Sequence, residues 1–224
     1  MQLVIGNKNY SSWSMRPWVL MRHFGIPFEE QRLSFAPWEA FRQRVRTLSP
    51  AGRVPLLIDG ELRVWDTLAI AEYLAESFAD RALWPRELRA RARARSLCAE
   101  MHAGFSALRS HCPMNIEASL PEVGRRIWDE QPAVQADMQR IVTMWGEALA
   151  DSGGPFLFGD FCVADAFYAP VCARIRGYGL PVSPEIADYI GRVWANDAVA
   201  AWVAEALAEH EWVPEDEPYR PAPV

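Results

Sequence analysis

The order of strands and helices predicted for the first 80 residues limits the possible folds more than any other feature of this sequence. Short apolar runs typical of β-strands alternate there with amphipathic segments typical of helices. Asp59 and Gly60, between the last two strand-like runs, form a β-hairpin turn signal. The predicted strands are residues 3–5, 27–35, 54–58 and 62–65, and the predicted helices are residues 14–24, 38–48 and 66–78. This β-α-β-α-β-β-α order predicts a small mixed sheet with helices packed against it.

The pattern changes after residue 85, where helical periodicity continues without a convincing pair of strands. Further helices are predicted over residues 86–109, 163–175 and 199–207, and apolar residues recur at helical steps between Val134 and Leu149. A linker over residues 79–85 divides the two patterns. We therefore predict an α/β, thioredoxin-like N-terminal domain, residues 1–80, and an all-α C-terminal domain, residues 87–224. Its last residues, 211–224, are expected to run irregularly over the surface.

Charge and composition exclude several classes of function. The net charge of −6 gives no general attraction to phosphate backbones, so nucleic acid is not expected as a partner. The four cysteines form no C-x-x-C pair and the four histidines have no ligand spacing, which predicts neither a disulfide framework nor a metal site. The N-terminus has no features of a signal peptide, and no run approaches the ~20 apolar residues of a membrane span. We therefore expect a cytoplasmic protein without a membrane partner.

The first of three N-terminal motifs joins the first strand to the first helix. Residues 11–16 read SSWSMR, which is similar to the Ser-Ser-Cys-Ser-x-Arg stretch of zeta-class glutathione transferases. The whole sequence resembles the glutathione transferase superfamily over nearly its full length. The resemblance implies that the hydroxyl of Ser11 donates a hydrogen bond to the glutathione sulfur, and that Ser12 also contacts the tripeptide.

The chemistry of a thiol explains why a serine is useful at this position. A thiol with a pKa of about 8.5 is mostly protonated at neutral pH, and a hydroxyl donor near the positive end of a helix favours its thiolate. Serine is also a preferred N-cap residue, so we expect Ser12 or Ser14 to cap the helix. Trp13 replaces the cysteine of the family motif, which disfavours disulfide exchange at this position.

The second motif precedes the third predicted strand. Residues 49–55 read SPAGRVP, similar to the family's Asn-Pro-x-Gly-x-Val-Pro. The resemblance implies a cis peptide before Pro55, which aims the backbone of Val54 at the cysteinyl unit of glutathione. A proline that opens an edge strand is the alternative interpretation. Arg53 is a candidate partner for the glycine carboxylate, or a surface residue that contacts only water.

The third motif, Asp66 and Thr67, directly precedes the third predicted helix. It is similar to the acidic-Ser/Thr pair of the family, which receives the γ-glutamyl end of glutathione. An acidic side chain can pair with the ammonium group, while a hydroxyl and helix N-terminal N–H groups bind the carboxylate. The same pair is an ordinary N-cap, and the two interpretations are compatible.

A fourth motif, residues 159–165, reads GDFCVAD and resembles the family's buried capping motif in the helical domain. The resemblance gives Asp165 a structural role, in which its carboxylate binds backbone N–H groups of the preceding loop. Cys162 stands where the family has serine or threonine.

The second substrate is expected between the two domains, against the first long helix of the C-terminal domain. Apolar walls with one cation and one amide suit an acidic or aromatic electrophile. Methionine and phenylalanine at helical spacing are also typical of a core. The candidates are Met101, Phe105, Arg109, Met114 and Asn115.

The resemblance implies a glutathione transferase that uses glutathione as a co-substrate, stabilises its thiolate with Ser11 and directs it at a small electrophile in detoxification. One alternative is a cis-trans isomerase of a small, maleylacetoacetate-like diacid, for which Arg109, Arg174 and Arg176 are available. Another is a non-catalytic glutathione-binding or scaffold protein. The resemblance also implies a two-fold homodimer.

Overall fold

The computed structural model describes residues 1–222 of the chain. Its N-terminal part consists of β1 (Gln2–Ile5), α1 (Ser12–His23), β2 (Glu29–Arg32), α2 (Trp38–Leu48), β3 (Leu56–Asp59), β4 (Leu62–Trp65) and α3 (Thr67–Ser77). The sheet has the strand order β2-β1-β3-β4. β1 pairs in parallel with β2 and antiparallel with β3, and β3 forms an antiparallel hairpin with β4. The predicted β-α-β-α-β-β-α order is confirmed.

Alternating side chains of the central strands explain why both faces of this sheet are covered. Leu3 of β1 and Leu57 of β3 point into the main core. Val4 and Leu56, their neighbours in sequence, point into a second cluster that contains Phe41 of α2. Successive side chains of a strand point to opposite faces, so both central strands bury both of their faces. Helices on the two sides are needed to cover them.

The C-terminal part is helical, and α8 lies at its centre. The side chains of α8 are buried along most of its length, and it packs against α1, α4, α6 and α9. Within residues 1–222, no helix combines the length and apolar character needed to cross a bilayer. The helices are α4 (Leu88–Ala103), α5 (Ser106–His111), α6 (Pro121–Glu130), α7 (Pro132–Ser152), α8 (Val163–Tyr178), α9 (Pro184–Trp194) and α10 (Asp197–Leu207), followed by a short 3-10 turn (Pro214–Asp216).

The prediction of one helix over residues 86–109 is wrong, because the chain breaks between α4 and α5. Gly104 follows the last residue of α4, and a Cβ atom there would lie 2.8 Å from the carbonyl oxygen of Glu100. Phe105 then adopts a left-handed conformation with a φ of 54°. These two residues end one helix and start the next in a new direction.

The C-terminal tail, predicted over residues 211–224, is irregular apart from the 3-10 turn, and residues 211–222 pack against both parts of the chain. Val213 is fully buried. The carboxylate of Glu211 accepts a hydrogen bond of 2.9 Å from the side chain of Asn7. The hydroxyl of Tyr219 donates to the carbonyl oxygen of His111 at 2.8 Å. The end of the predicted tail, residues 223–224, lies outside the described residues.

One main core cluster contains residues of both parts of the chain, from Leu3 in β1 to Trp202 in α10. The backbone N–H of Val163, at the start of α8, also donates to the carbonyl oxygen of Leu83 between α3 and α4. The division into domains at residues 1–80 and 87–224 therefore stays a prediction.

Candidate functional site

Two adjoining cavities lie between the N-terminal sheet and the helices of the C-terminal part. The larger cavity has a volume of about 810 Å³ and the smaller cavity about 620 Å³. Ser11, Ser12 and Met114 line the larger cavity, and Pro55, Asp66 and Thr67 line the smaller one. Residues that line both are Trp13, Ala51, Arg53, Val54 and Arg109. The fold thus brings the three N-terminal motifs to one continuous cleft.

The serines of the first motif differ in their access to this cleft. Ser11 and Ser12 line the larger cavity, whereas Ser14 is fully buried. The hydroxyl oxygens of Ser11 and Ser14 are 2.7 Å apart, and the backbone N–H of Gly6 donates to the Ser14 oxygen at 3.1 Å. The Ser12 oxygen accepts a hydrogen bond of 3.1 Å from Nη2 of Arg174.

These contacts overturn the expectation that Ser12 or Ser14 caps α1. Ser11 occupies the N-cap position, yet its side chain makes no capping hydrogen bond. The Ser12 oxygen instead accepts a hydrogen bond from Arg174. The Ser14 oxygen accepts hydrogen bonds from Gly6 and Ser11. Tertiary partners therefore replace the local capping bond that serine usually makes.

The second motif has the predicted cis peptide, because the Val54–Pro55 bond is cis. Pro55 is buried and Val54 is half-buried, directly before β3. Arg53 is exposed at the boundary of the two cavities. Residues 53 and 54 consequently lie at the boundary between the larger and the smaller cavity.

The third motif has two carboxylate contacts, one of which the sequence did not predict. Oδ1 of Asp66 accepts a hydrogen bond of 2.9 Å from the backbone N–H of Leu68 and so caps α3. Oδ2 of Asp66 lies 3.1 Å from Nε2 of His102, which comes from α4. Thr67 is only 2% exposed, and its hydroxyl has no hydrogen-bond partner among residues 1–222. The sequence carries no signal for His102, because α4 is distant in the chain.

Only two of the five predicted second-substrate residues line the cleft. Arg109 and Met114 lie on the wall of the larger cavity. Met101 and Phe105 belong to the main core, where they are 1% and 7% exposed. Asn115 is buried, and its side chain binds Glu217 at 2.8 Å and the backbone N–H of Ala118 at 3.1 Å. The interpretation of Met101, Phe105 and Asn115 is corrected accordingly: residue type and spacing cannot tell which side chains of this region point to the core and which to the cleft.

Other residues of the larger cavity come from α8, from α2 and from the loop before α1, and of these only Arg174 is a candidate from the sequence, for a diacid substrate. Arg174 of α8 is 6% exposed, and burial lowers the pKa of its guanidinium to about 10, so it stays protonated at neutral pH. The hydroxyl of Tyr10 donates to Glu217 of the tail at 2.7 Å, and burial together with that carboxylate raises the pKa of Tyr10. An aromatic wall completes the cavity: Phe35, Trp38 and Phe41.

The segments that form this cleft match two sequence models of one family. Residues 10–77 match the glutathione S-transferase N-terminal domain, and residues 91–205 match the glutathione S-transferase C-terminal domain. The second match alone spans just over half of the 224 residues. The chain belongs to the glutathione S-transferase family.

Individual members of the glutathione S-transferase family are similar over most of the chain. Glutathione S-transferase 1 of Dianthus caryophyllus is 26% identical over 186 residues, which cover 82% of this chain and 81% of that protein. A zeta-class glutathione S-transferase of Euphorbia esula is 26% identical over 71% of this chain and 70% of its own length. The structure of a bacterial maleylpyruvate isomerase of the zeta class has a TM-score of 0.70 at 20% identity and covers 95% of this chain and 100% of that one. The predicted resemblance to zeta-class proteins is confirmed.

The fourth motif of this glutathione S-transferase forms a buried network in the helical part. Oδ2 of Asp165 accepts a hydrogen bond of 3.0 Å from the backbone N–H of Cys162, and Oδ1 accepts one of 3.1 Å from Leu157. The hydroxyl of Tyr189 also donates to Oδ1, at 3.0 Å. The thiol of Cys162 completes a capping box with the backbone N–H of Asp165. These contacts are the structural ones that the motif predicts.

Proposed function

We propose that this protein is a glutathione transferase that binds glutathione along the smaller cavity and attaches it to a small electrophile in the larger one. The observation that carries the proposal is the convergence of Ser11, the Val54–Pro55 segment and the Asp66–Thr67 pair on one cleft. By resemblance, these residues would receive the sulfur, the cysteinyl backbone and the γ-glutamyl end of one tripeptide. Their convergence from three separate segments supports a single extended ligand.

In the proposed reaction the thiol of glutathione releases its proton to solvent, and Ser11 stabilises the resulting thiolate. The hydroxyl of Ser11 donates to the Ser14 oxygen, which also accepts from the backbone N–H of Gly6. When glutathione binds, the Ser14 proton turns toward the Ser11 oxygen and releases the Ser11 hydroxyl as a donor. The proton of Ser11 is then directed at the sulfur. α1 begins at Ser12, and its positive N-terminal end favours the same anion. The thiolate forms a C–S bond with the electrophile, and the leaving group departs with its electron pair.

Ser12 is the rival hydroxyl within the same mechanism. It accepts a hydrogen bond from the charged Arg174, which leaves its own proton free to donate into the larger cavity. A charge-assisted bond of this kind polarises the hydroxyl and strengthens it as a donor. We favour Ser11 because the family motif assigns the first serine to the sulfur. Single alanine substitutions distinguish the two serines.

A second candidate function is the glutathione-dependent isomerisation of a small cis diacid. Arg109 and Arg174 both line the larger cavity, and guanidinium groups pair well with carboxylates. Arg176 does not join them, since its guanidinium lies over the ring of Trp194 at 4.9 Å. In this reaction the thiolate adds to the double bond, the new single bond rotates, and elimination of the thiolate leaves the trans double bond. Glutathione is regenerated.

The test measures glutathione binding by calorimetry and turnover with chlorodinitrobenzene and with a maleyl diacid. Wild type is compared with the variants Ser11→Ala and Ser12→Ala, and with Ser119→Ala, an exposed position that lines neither cavity, as a control. We expect Ser11→Ala to lower kcat by 10²-fold or more, about the effect of removing one oxyanion donor, with a small change in glutathione affinity. Binding without turnover of either substrate would favour the non-catalytic alternative. An absence of binding would contradict the glutathione assignment.

We further propose a cytoplasmic homodimer that acts in detoxification of small electrophiles. By resemblance to the family, α3 and α4 of each subunit would pack against the N-terminal domain of the partner. Leu62, Trp65 and Leu88 are 47%, 46% and 69% exposed in the single chain. Leu88 is the first residue of α4, so a partner packed on α4 would cover it, whereas Leu62 and Trp65 lie on β4 and Trp65 lines the smaller cavity.

A further inference from the structure

The larger cavity carries an excess of positive charge although the chain as a whole has a net charge of −6. The arginines that line it are Arg42, Arg46, Arg53, Arg109 and Arg174. The arginines of residues 1–222 that form ion pairs with carboxylates are different ones: Arg32, Arg93, Arg95, Arg140 and Arg220. A cleft lined by one sign of charge raises the local concentration of oppositely charged ligands. A single carboxylate in the larger cavity therefore has a large effect on the charge selectivity of that cavity.

Asp216, in the 3-10 turn of the tail, is the one acidic side chain among residues 1–222 that lines the larger cavity. The next residue, Glu217, holds this turn in place through a buried network. Its carboxylate accepts hydrogen bonds from the hydroxyl of Tyr10 at 2.7 Å, from Asn115 at 2.8 Å and from Nε of Arg220 at 2.8 Å. The tail thus delivers Asp216 to a defined position on the cleft wall. Tyr10 directly precedes the proposed catalytic Ser11, so the network also joins the tail to the serine loop.

We infer that Asp216 determines the charge specificity of the second-substrate site, because its carboxylate offsets part of the arginine charge and disfavours anionic electrophiles relative to neutral ones of the same shape. The inference rests on the proposed transferase function and specifies which electrophiles the same site accepts. It gives the tail a role in substrate selection that no motif of the sequence indicates.

The selectivity is expected to depend on pH. Burial raises the pKa of Asp216 to about 6, the charges of Glu215 and Glu217 add to the increase, and Arg174 opposes it. The side chain is therefore ionised above pH 6 and neutral below it. Arg174 stays protonated throughout this range because its pKa is about 10, and Tyr10 stays neutral because its pKa is raised. As the pH falls through 6, the site loses a negative charge and accepts anionic electrophiles more readily.

The experiment uses two electrophiles that differ in charge and hardly in shape, a chloronitrobenzoate and the corresponding chloronitrobenzamide. The ratio of their kcat/KM values is measured between pH 5 and pH 8. Thiolate formation cancels in this ratio, because both reactions use the same bound thiolate. The variants are Asp216→Asn and, as a matched control, Glu215→Gln, whose side chain is exposed and does not line the cavity.

We expect the benzoate-to-benzamide ratio of wild type to rise roughly three- to sixfold as the pH falls from 8 to 5, the effect of one charge several ångströms away in a water-accessible cleft. Asp216→Asn should have the high ratio at every pH. Glu215→Gln should keep the rise of wild type, with its midpoint shifted slightly below pH 6, because the charge of Glu215 helps to raise the pKa of Asp216. A pH dependence retained by Asp216→Asn would come from another group and would overturn the inference. An equal ratio in wild type and Asp216→Asn at pH 8 would also overturn it. If wild type conjugates neither compound, the transferase proposal itself fails.

Discussion

Replacing Asp165 with alanine should destabilise the protein strongly, because this side chain is the acceptor for three buried donors. Two are the backbone N–H groups of Leu157 and Cys162, and the third is the hydroxyl of Tyr189. Asp165 itself is fully buried. Each buried donor left without a partner costs about 1–3 kcal/mol, and removing the buried carboxylate returns part of this by ending its desolvation cost. We therefore expect the free energy of unfolding to fall by about 3–5 kcal/mol.

The assay is urea unfolding followed by circular dichroism of the helices. It is performed at pH 8, because burial raises the pKa of Asp165 to about 6 and the side chain must be ionised. Asp165→Asn keeps one acceptor oxygen, but its NH2 group faces a donor that the second carboxylate oxygen had accepted from. We therefore expect Asp165→Asn to lower the free energy of unfolding by about half as much as Asp165→Ala. Asp160→Ala, at an exposed position of the same loop, is the control and should change the stability by less than about 0.5 kcal/mol. A loss below about 1 kcal/mol for Asp165→Ala would refute this account of the network.

Two further predictions concern packing and assembly. Gly124→Ala should destabilise the protein by about 2 kcal/mol or more, since its Cβ would lie 1.8 Å from the carbonyl oxygen of Tyr178. Gly146→Ala, at a helical position with open space, should instead stabilise it by about 0.5–1 kcal/mol, and thermal unfolding of both variants tests the contrast. Light scattering at micromolar concentration should give the mass of a dimer. A monomeric mass would contradict the proposed homodimer.

Local patterns predict the N-terminal part of this fold well. The apolar residues of α2 and the Asp59–Gly60 turn are signals between residues close in sequence, and the structure has α2 and the β3–β4 hairpin at the predicted positions. Two helices of the C-terminal part, α6 and α9, were missed. Each begins with a proline at its first position, Pro121 and Pro184, which is a recognised helix start. These helices could therefore have been found.

The cleft is harder to predict than the fold, because it is assembled from distant segments. The serine motif and the cis proline are short patterns that the resemblance identifies directly. No local pattern indicates that His102 reaches Asp66, that Arg174 binds Ser12, or that the tail brings a carboxylate to the same cavity. These contacts depend on how α4, α8 and the tail pack. Met101 illustrates the opposite error, since its spacing fits a cavity wall and a core equally well.

The most direct test of the central claim is the pKa of the glutathione thiol when it is bound to the protein. Thiolate absorbance is followed in wild type, Ser11→Ala and Ser12→Ala from pH 5 to pH 9. The account predicts that wild type lowers the thiol pKa by at least about one unit from its free value near 8.5, and that Ser11→Ala restores it. A lowered pKa that persists in Ser11→Ala and disappears in Ser12→Ala would transfer the role to Ser12. A pKa that stays near the free value in wild type would contradict thiolate activation by this site.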